Sequence, residues 1–212
     1  MEKSIEIRNA TFGDLNKITE LENKIWPEGT RAPREKFVSR LQIFPRGFFV
    51  AFKNNEMIGV STSEIIFYDL KNPPVSWESV TDNGWIKKSH DSNGNSLYVV
   101  SVGALSRSGA GSALLKAQKE LSQKLNLPSL ILGARIPGYD TYCKEHGDID
   151  IQDYVKIRRE DNELLDSELR FYTRNGLTLN KIISNYMEDD KESRNYGALM
   201  IKENKIESNE KF

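Results

Sequence analysis

Apolar and polar positions alternate along this chain in two rhythms, and each stretch of rhythm predicts an element. Ile5 and Ile7 are separated by charged residues, the period of a short half-buried strand. Thr11 and Asp14 form a capping-box-like start. Leu15, Ile18, Leu21 and Ile25 follow at spacings of three and four, which predicts a helix ended by Trp26-Pro27-Glu28-Gly29. Pro33 can open a second helix with Phe37, Val38 and Leu41 on its apolar side. A turn at Pro45-Arg46-Gly47 precedes a strand over residues 48–52. Asn54 and Asn55 suit a hairpin turn, and residues 57–68 read as the returning strand.

Residues 69–96 break the rhythm. They carry Pro73, Pro74, Gly84, Gly94 and two tryptophans, Trp77 and Trp85, which favour a long inserted loop, partly packed as a lid, over a free tail. Leu97, Tyr98, Val99, Val100 and Val102 then form the run of a buried strand. Ser106, Ser108, Gly109 and Gly111 interrupt it. Beyond them Ala113, Leu114, Ala117, Leu121 and Leu125 recur at helical spacing, with Lys116, Lys119, Glu120, Gln123 and Lys124 left outside. Residues 130–132 predict another buried strand, ending at Gly133-Ala134-Arg135-Ile136-Pro137-Gly138-Tyr139. Short helices are expected over residues 151–159 and 166–175, with Gly176 as the stop of the second. Closing strands fall at 179–183 and 196–201, and a charged tail, expected to fray, follows residue 202.

Composition narrows the class. The 212 residues hold 38% hydrophobic and 29% charged side chains, a globular balance with room for a substantial core. Lys and Arg number 30 against 31 Asp and Glu, a formal net charge of −1 that argues against a dedicated nucleic-acid binder. No run approaches the ~20 apolar residues of a membrane span, and the first ten residues lack the apolar core of a secretory signal. The single cysteine, Cys143, excludes an internal disulfide and a cysteine metal site, so a cytoplasmic protein is expected. There is no internal repeat and no convincing second domain; residues 1–205 are expected as one domain and 206–212 as the charged tail.

Candidate chemistry starts at the small-residue turn. A Gly-rich passage from strand to helix leaves unpaired N–H groups where the helix dipole also favours negative charge, most often a phosphate. SGAG lacks the Lys-Ser/Thr of a nucleotide-triphosphate loop, and GxGxxG is absent. The glycines alone therefore fit either an anion site or close packing of helix on strand.

Three segments give the pattern a family likeness. The opening IEIRNATFGDLNKITELE, the turn SRSGAGSALL and the late FYTRNGL resemble the first strand and helix, the pyrophosphate turn and the FYxxxGF segment of the GNAT superfamily of N-acetyltransferases. ARIPGYDTY and NYMEDDKESRNYGALM are more specifically similar to GNAT domains that bacteria often join to carbon–nitrogen hydrolases. The likeness spans residues 5–202. With no room for a hydrolase, the chain is expected to be a free-standing relative. Ser106 stands where the family has Gln or Arg, with Gly109 and Gly111 in the glycine positions, and the connection from strand to turn is shorter than usual.

The resemblance implies an α/β (α+β) fold: a mixed, mostly antiparallel central sheet with splayed central strands and helices on both faces. It implies acetyl-CoA, or another acyl-CoA, as co-substrate and no metal. The pantetheine would pair with the backbone of Val102 and Ala104. The pyrophosphate would take the amides of Arg107, Ser108, Gly109, Ala110, Gly111 and Ser112, with the Arg107 guanidinium as an added contact. Tyr172 matches the family's general acid toward the CoA sulfur, and its ordinary pKa of about 10 keeps it protonated at neutral pH. The alternative for Tyr172 is a core tyrosine beside Leu169 and Phe171. The Val102 N–H would polarise the carbonyl.

For the base, the central strand offers no carboxylate. Glu64 is the choice; Asp140, His90 and a water chain are the alternatives, and each side chain also fits a solvated or salt-bridged surface group. Arg135 and Tyr139 fit contact with substrate or CoA, or a structural turn in which Arg135 pairs with a nearby acid. Asn185, Tyr186, Glu188, Asp189 and Asp190 could recruit a cationic amine, or be a solvated face. Cys143, three residues before His146, lacks a third orienting group and is discounted as a nucleophile. The expected activity is acetyl transfer to a primary amine of a small molecule or a protein, with no nucleic-acid or membrane partner and a homodimer permitted. A non-catalytic acyl-CoA-binding module is the main rival; a third reading is an interaction module that binds no CoA.

Overall fold

A computed structural model describes residues 4–26, 28–73 and 75–205, so the tail at 206–212 lies outside the described residues. The chain divides into two compact units. Of the described residues, the first comprises 4–26, 28–69, 81–130 and 203–205, the second 70–73, 75–80 and 131–202.

In the first unit, β1 (Glu6–Asn9), β2 (Phe49–Lys53), β3 (Glu56–Ile66) and β4 (Ser96–Ala104) are antiparallel neighbours in that order. The β2–β3 hairpin closes on Asn54 and Asn55, both left-handed at φ 54 and 65, a conformation asparagine tolerates and that matches strand twist. Alternation along β2 then assigns the two faces. Val50 joins Ile18 and Leu21 of α1 (Leu15–Ile25) and Phe37 and Leu41 of α2 (Arg34–Ile43). Ala51 joins Ala110 and Leu114 of the helix at Ala110–Lys124. Helices therefore cover both faces of this unit's strands. On the second face Gly59 of β3 allows close approach: a Cβ there would lie 2.8 Å from Leu114 Cδ1 and 3.0 Å from Ala110 Cβ.

The capping box at Thr11–Asp14 is present, but it opens a 3-10 turn (Phe12–Asp14) before α1 begins. Asp14 is also gripped at 2.7 and 2.8 Å by both terminal nitrogens of Arg8. The stretch expected as a lid is more tightly bound than that word implies. It contains α3 (Trp77–Thr81), and its later part is pinned to the end of β3 by Asp91 N–H to Ile65 O and Asn95 N–H to Ile66 O. Ile86 there is fully buried, while Trp85 stays 38% exposed.

The helix at Ala110–Lys124, α4, is followed by β5 (Ser129–Ala134). The second unit holds most of β5, then α5 (Tyr139–His146), α6 (Ile151–Tyr154), α7 (Ser167–Arg174), β6 (Thr178–Ile183) and β7 (Gly197–Glu203). Strand order is β5-β7-β6, with β6 and β7 antiparallel. α7 starts where Asp166 caps the Glu168 and Leu169 amides, and stops at Gly176, whose φ of 81 is the left-handed exit glycine allows. α6 is one turn, shorter than the 151–159 helix expected. α5 lies where the sequence assigned no element: its Tyr139 and Tyr142 pack on Tyr154 and its Cys143 is buried, with no aliphatic stripe to mark it.

Candidate active site

The centre of β4 is irregular. Thr62 pairs with Ser101 and Ser63 with Val99, so Val100 is an extra residue on β4 and the strand bulges there. Residues 96–100 are buried; beyond the bulge Ser101, Val102 and Ala104 are all partly exposed. A buried strand thus becomes, past one residue, a partly exposed one.

β4 runs directly into a tight turn. Leu105 O accepts the Ser108 amide at 3.2 Å and the Ser108 hydroxyl at 2.7 Å, and that hydroxyl oxygen accepts the Ala110 amide at 3.2 Å. Arg107 and Gly109 are left-handed, at φ 57 and 78. Left-handed residues beside right-handed ones turn successive amides toward one side, an anion-binding arrangement. At the start of α4 the Ala113 amide is taken by Gly109 O, whereas the Gly111 amide takes no partner among the described residues. Ala110 and Leu114 are fully buried and lock this helix end in place; Arg107 is exposed and can reach solvent anions.

Glu64, the expected base, is fully buried in β3, opposite Tyr98. Its Oε2 accepts the Ser89 hydroxyl at 2.6 Å, and its Oε1 is buried with no partner among the described residues. Burial pushes its carboxyl up to about 8, opposed by the Ser89 bond and by the Arg40 charge. Arg40 is itself buried, donating from Nε to Gly84 O at 2.7 Å and from Nη1 to Thr62 Oγ1 at 3.2 Å. His90 is structural: its Nδ1 accepts the Ile65 amide at 3.1 Å and its ring packs on Phe44. Asp140 pairs with Lys144 and Arg194.

In the second unit Arg135 is held by two carboxylates. Nε and Nη2 fork onto the Asp190 carboxylate at 2.9 and 2.6 Å, and Nη2 also reaches Glu192 at 2.7 Å. The acidic segment is therefore partly a clasp for Arg135 and not simply a solvated face. Tyr139 is buried; its hydroxyl donates to Ile149 O at 2.7 Å, and Arg194 lies over its ring.

Tyr172 is 91% buried on α7, and its hydroxyl takes no partner among the described residues. Burial first, and the nearby Glu168 second, push its phenol above the ordinary value, so it carries its proton at neutral pH. Glu168 escaped the sequence reading, although it sits four residues before Tyr172, the spacing that stacks side chains on one helix face. Among the described residues no group of three His, Cys, Asp or Glu is placed to hold a metal, and no helix is long and apolar enough to cross a membrane.

A bulged strand, a tight turn into a helix and antiparallel strands with helices on both faces define a mixed, mostly antiparallel α/β fold. Comparison with known proteins makes the family specific. No protein-family model matches the chain. An uncharacterized N-acetyltransferase of Bacillus subtilis (strain 168), YkwB, is 32% identical over 206 residues, covering 93% of this chain and 88% of its own length. The probable hydrolase YhcX of the same organism is 35% identical over 203 residues, 94% of this chain; the chain spans 38% of that protein's length. Among solved structures, the loading GNATL domain of CurA from Lyngbya majuscula superposes with a TM-score of 0.80 at 19% identity, covering 95% of this chain and 98% of that one. The GphF GNAT-like decarboxylase, solved with isobutyryl-CoA, gives 0.79 at 22% identity, covering 93% and 98%. The chain belongs to the GNAT superfamily and has its mixed, mostly antiparallel α/β fold.

Proposed function

We propose that this protein is an acyl-CoA-dependent N-acyltransferase, moving an acetyl group from acetyl-CoA to a primary amine of a small molecule or protein. The observation that carries this reading is the bulge at Val100, with a partly exposed strand and an amide-lined turn directly after it. In this reading Val102 and Ala104 pair with the pantetheine. The amides of residues 107–112 take the pyrophosphate, aided by Arg107 and the α4 dipole. The amine attacks the thioester carbonyl, polarised by the Val102 N–H; the C–N bond forms and the C–S bond breaks. Tyr172 gives the departing sulfur its proton, as befits a phenol that burial keeps protonated.

Arg135 and Tyr139 serve as positioning groups for substrate, Arg135 by holding Asp190 and Glu192 in place. Glu64, the base suggested by the sequence, is fully buried with Oε2 held by Ser89 and is given no proton-transfer step in this reading. The expected setting is the cytoplasm, with no metal.

Two measurements test this. Acetyl-CoA at ~100 times its Kd should add about 2.7 kcal/mol of stability, read as a rise in melting temperature. Thiol release across a panel of primary amines should then identify an acceptor. Stabilisation with no thiol release from any amine would instead establish the non-catalytic acyl-CoA-binding module.

A second reading has its own support. The superposition on the GphF GNAT-like decarboxylase, at 0.79, exceeds that on the ribosomal-protein-S18-alanine N-acetyltransferase from Escherichia coli, at 0.55. In that reading a carboxyacyl-CoA loses CO2 and the resulting enolate is protonated. Release of CO2 from malonyl-CoA or methylmalonyl-CoA, without an amine, would select it.

A further inference from the structure

We propose that Glu168 is the general base of the acyl transfer and that it forms a two-residue proton relay with Tyr172 on one face of α7. The inference rests on the N-acyltransferase reading and supplies the step that reading leaves open, the destination of the amine proton.

Geometry is the first support. Glu168 and Tyr172 are one helical turn apart, so their side chains lie over one another along α7. The Tyr172 hydroxyl takes no partner among the described residues, although the side chain is 91% buried. The oxygen itself is not sealed off: the buried side-chain atoms without a partner among the described residues are Glu64 Oε1, Gln118 Oε1 and Asn204 Oδ1, so the tip of the phenol stays open to solvent or a ligand. The half-buried Glu168 carboxylate forms no ion pair among the described residues; the neighbouring Arg135 meets it through its backbone N–H, while its Nε and Nη2 hold Asp190 and Glu192.

Electrostatics fit the role. Burial pushes the Glu168 carboxyl up to about 8. Asp166 at the start of α7 and Asp190 before β7 push the same way, while the Arg135 charge and its backbone N–H push down. Such a base is partly ionised near neutral pH, takes a proton readily and gives it back readily.

The proton balance closes on these two residues. Glu168 carboxylate removes a proton from the attacking amine nitrogen. Tyr172 gives its hydroxyl proton to the CoA sulfur as the C–S bond breaks. Tyr172 phenolate, disfavoured by burial, recovers a proton from the Glu168 carboxyl. The net transfer is one proton from nitrogen to sulfur, and both residues return to their starting states.

The test uses the full chain with acetyl-CoA and the best acceptor from a panel of alkyl, aryl and polyamine amines. Wild-type turnover should rise with pH through about 8. Glu168→Gln should lower kcat by about 100-fold or more and remove that rise. Glu168→Asp, which withdraws the carboxyl by one methylene, should keep the rise at a reduced rate. Glu168→Gln and Tyr172→Phe combined should cost little more than either alone, as expected of residues acting as a unit. Infrared titration without substrate gives an independent readout: a carboxyl C=O band should disappear as pH passes about 8 and be missing from Glu168→Gln. Wild-type turnover that survives in Glu168→Gln with its pH rise intact overturns this inference alone. A wild-type chain that releases no thiol with any amine overturns the acyltransfer reading and the relay together.

Discussion

The ring of Tyr186 occupies the space where Gly197 would carry a side chain: a methyl there would overlap its Cβ, Cγ and Cδ1. The far end of the same ring lies over Gly133, so one aromatic bridges a glycine in β5 and a glycine in β7. Core overpacking of this kind costs typically 1–3 kcal/mol. Gly197→Ala should therefore lower the unfolding midpoint by several degrees. Gly29→Ala, where a Cβ meets nothing within 4 Å, should leave it unchanged; parallel thermal melts of the two variants check this.

Asp190 is buried and holds Arg135 by two hydrogen bonds. Removing one partner of such a pair strands the other, at a cost of about 3 kcal/mol or more. Asp190→Asn should destabilise by about that amount, in urea melts at low and at high salt alike, since a buried pair is poorly screened.

Glu64 makes stability fall with rising pH. Its carboxyl ordinarily ionises near 4.5 but is held up to about 8 in the fold by burial, so the folded state retains a proton that the unfolded chain gives up. Its contribution is complete below about 4.5 and is lost as pH climbs through about 8. Glu64→Gln should be more stable than the natural chain at pH 9 and show a flatter dependence between 5 and 9, a range of about four pH units for urea titration to cover.

Asp14 acts in the opposite sense. The Arg8 hydrogen bonds hold its carboxyl well below the usual carboxylate range, assisted by the Thr11 amide and hydroxyl. That contribution is present above about pH 4 and fades as pH falls further. Asp14→Asn should cost about 1 kcal/mol at neutral pH, as loss of a helix cap does, and the difference from the natural chain should shrink in acid.

Tyr172→Phe separates chemistry from packing. Because the hydroxyl has no partner among the described residues, its removal should change stability by less than about 0.5 kcal/mol. Turnover should nevertheless fall by about 100-fold, measured as thiol release.

The sequence by itself determined whatever depends on near neighbours. The α1 stripe, the Asn54-Asn55 hairpin, the helix expected over 166–175 with its Gly176 stop, and the passage from β4 into α4 all rest on local spacing and turn chemistry, and all were legible. The family followed from short motifs spread along the chain, and the relatives bear it out. Tertiary structure decided what lies next to what. Glu64 sits in an alternating strand that gives no sign of Ser89 and Arg40 closing over it from residues far away in sequence. Arg135 and Asp190 are 55 positions apart, so no window along the chain could pair them. α5 escaped because stacked aromatics, not an aliphatic stripe, hold it. The bulge at Val100 escaped because an extra residue is defined only against the partner strand's register. Burial and long-range pairing set the charge states, and neither is a property of a residue and its sequence neighbours alone.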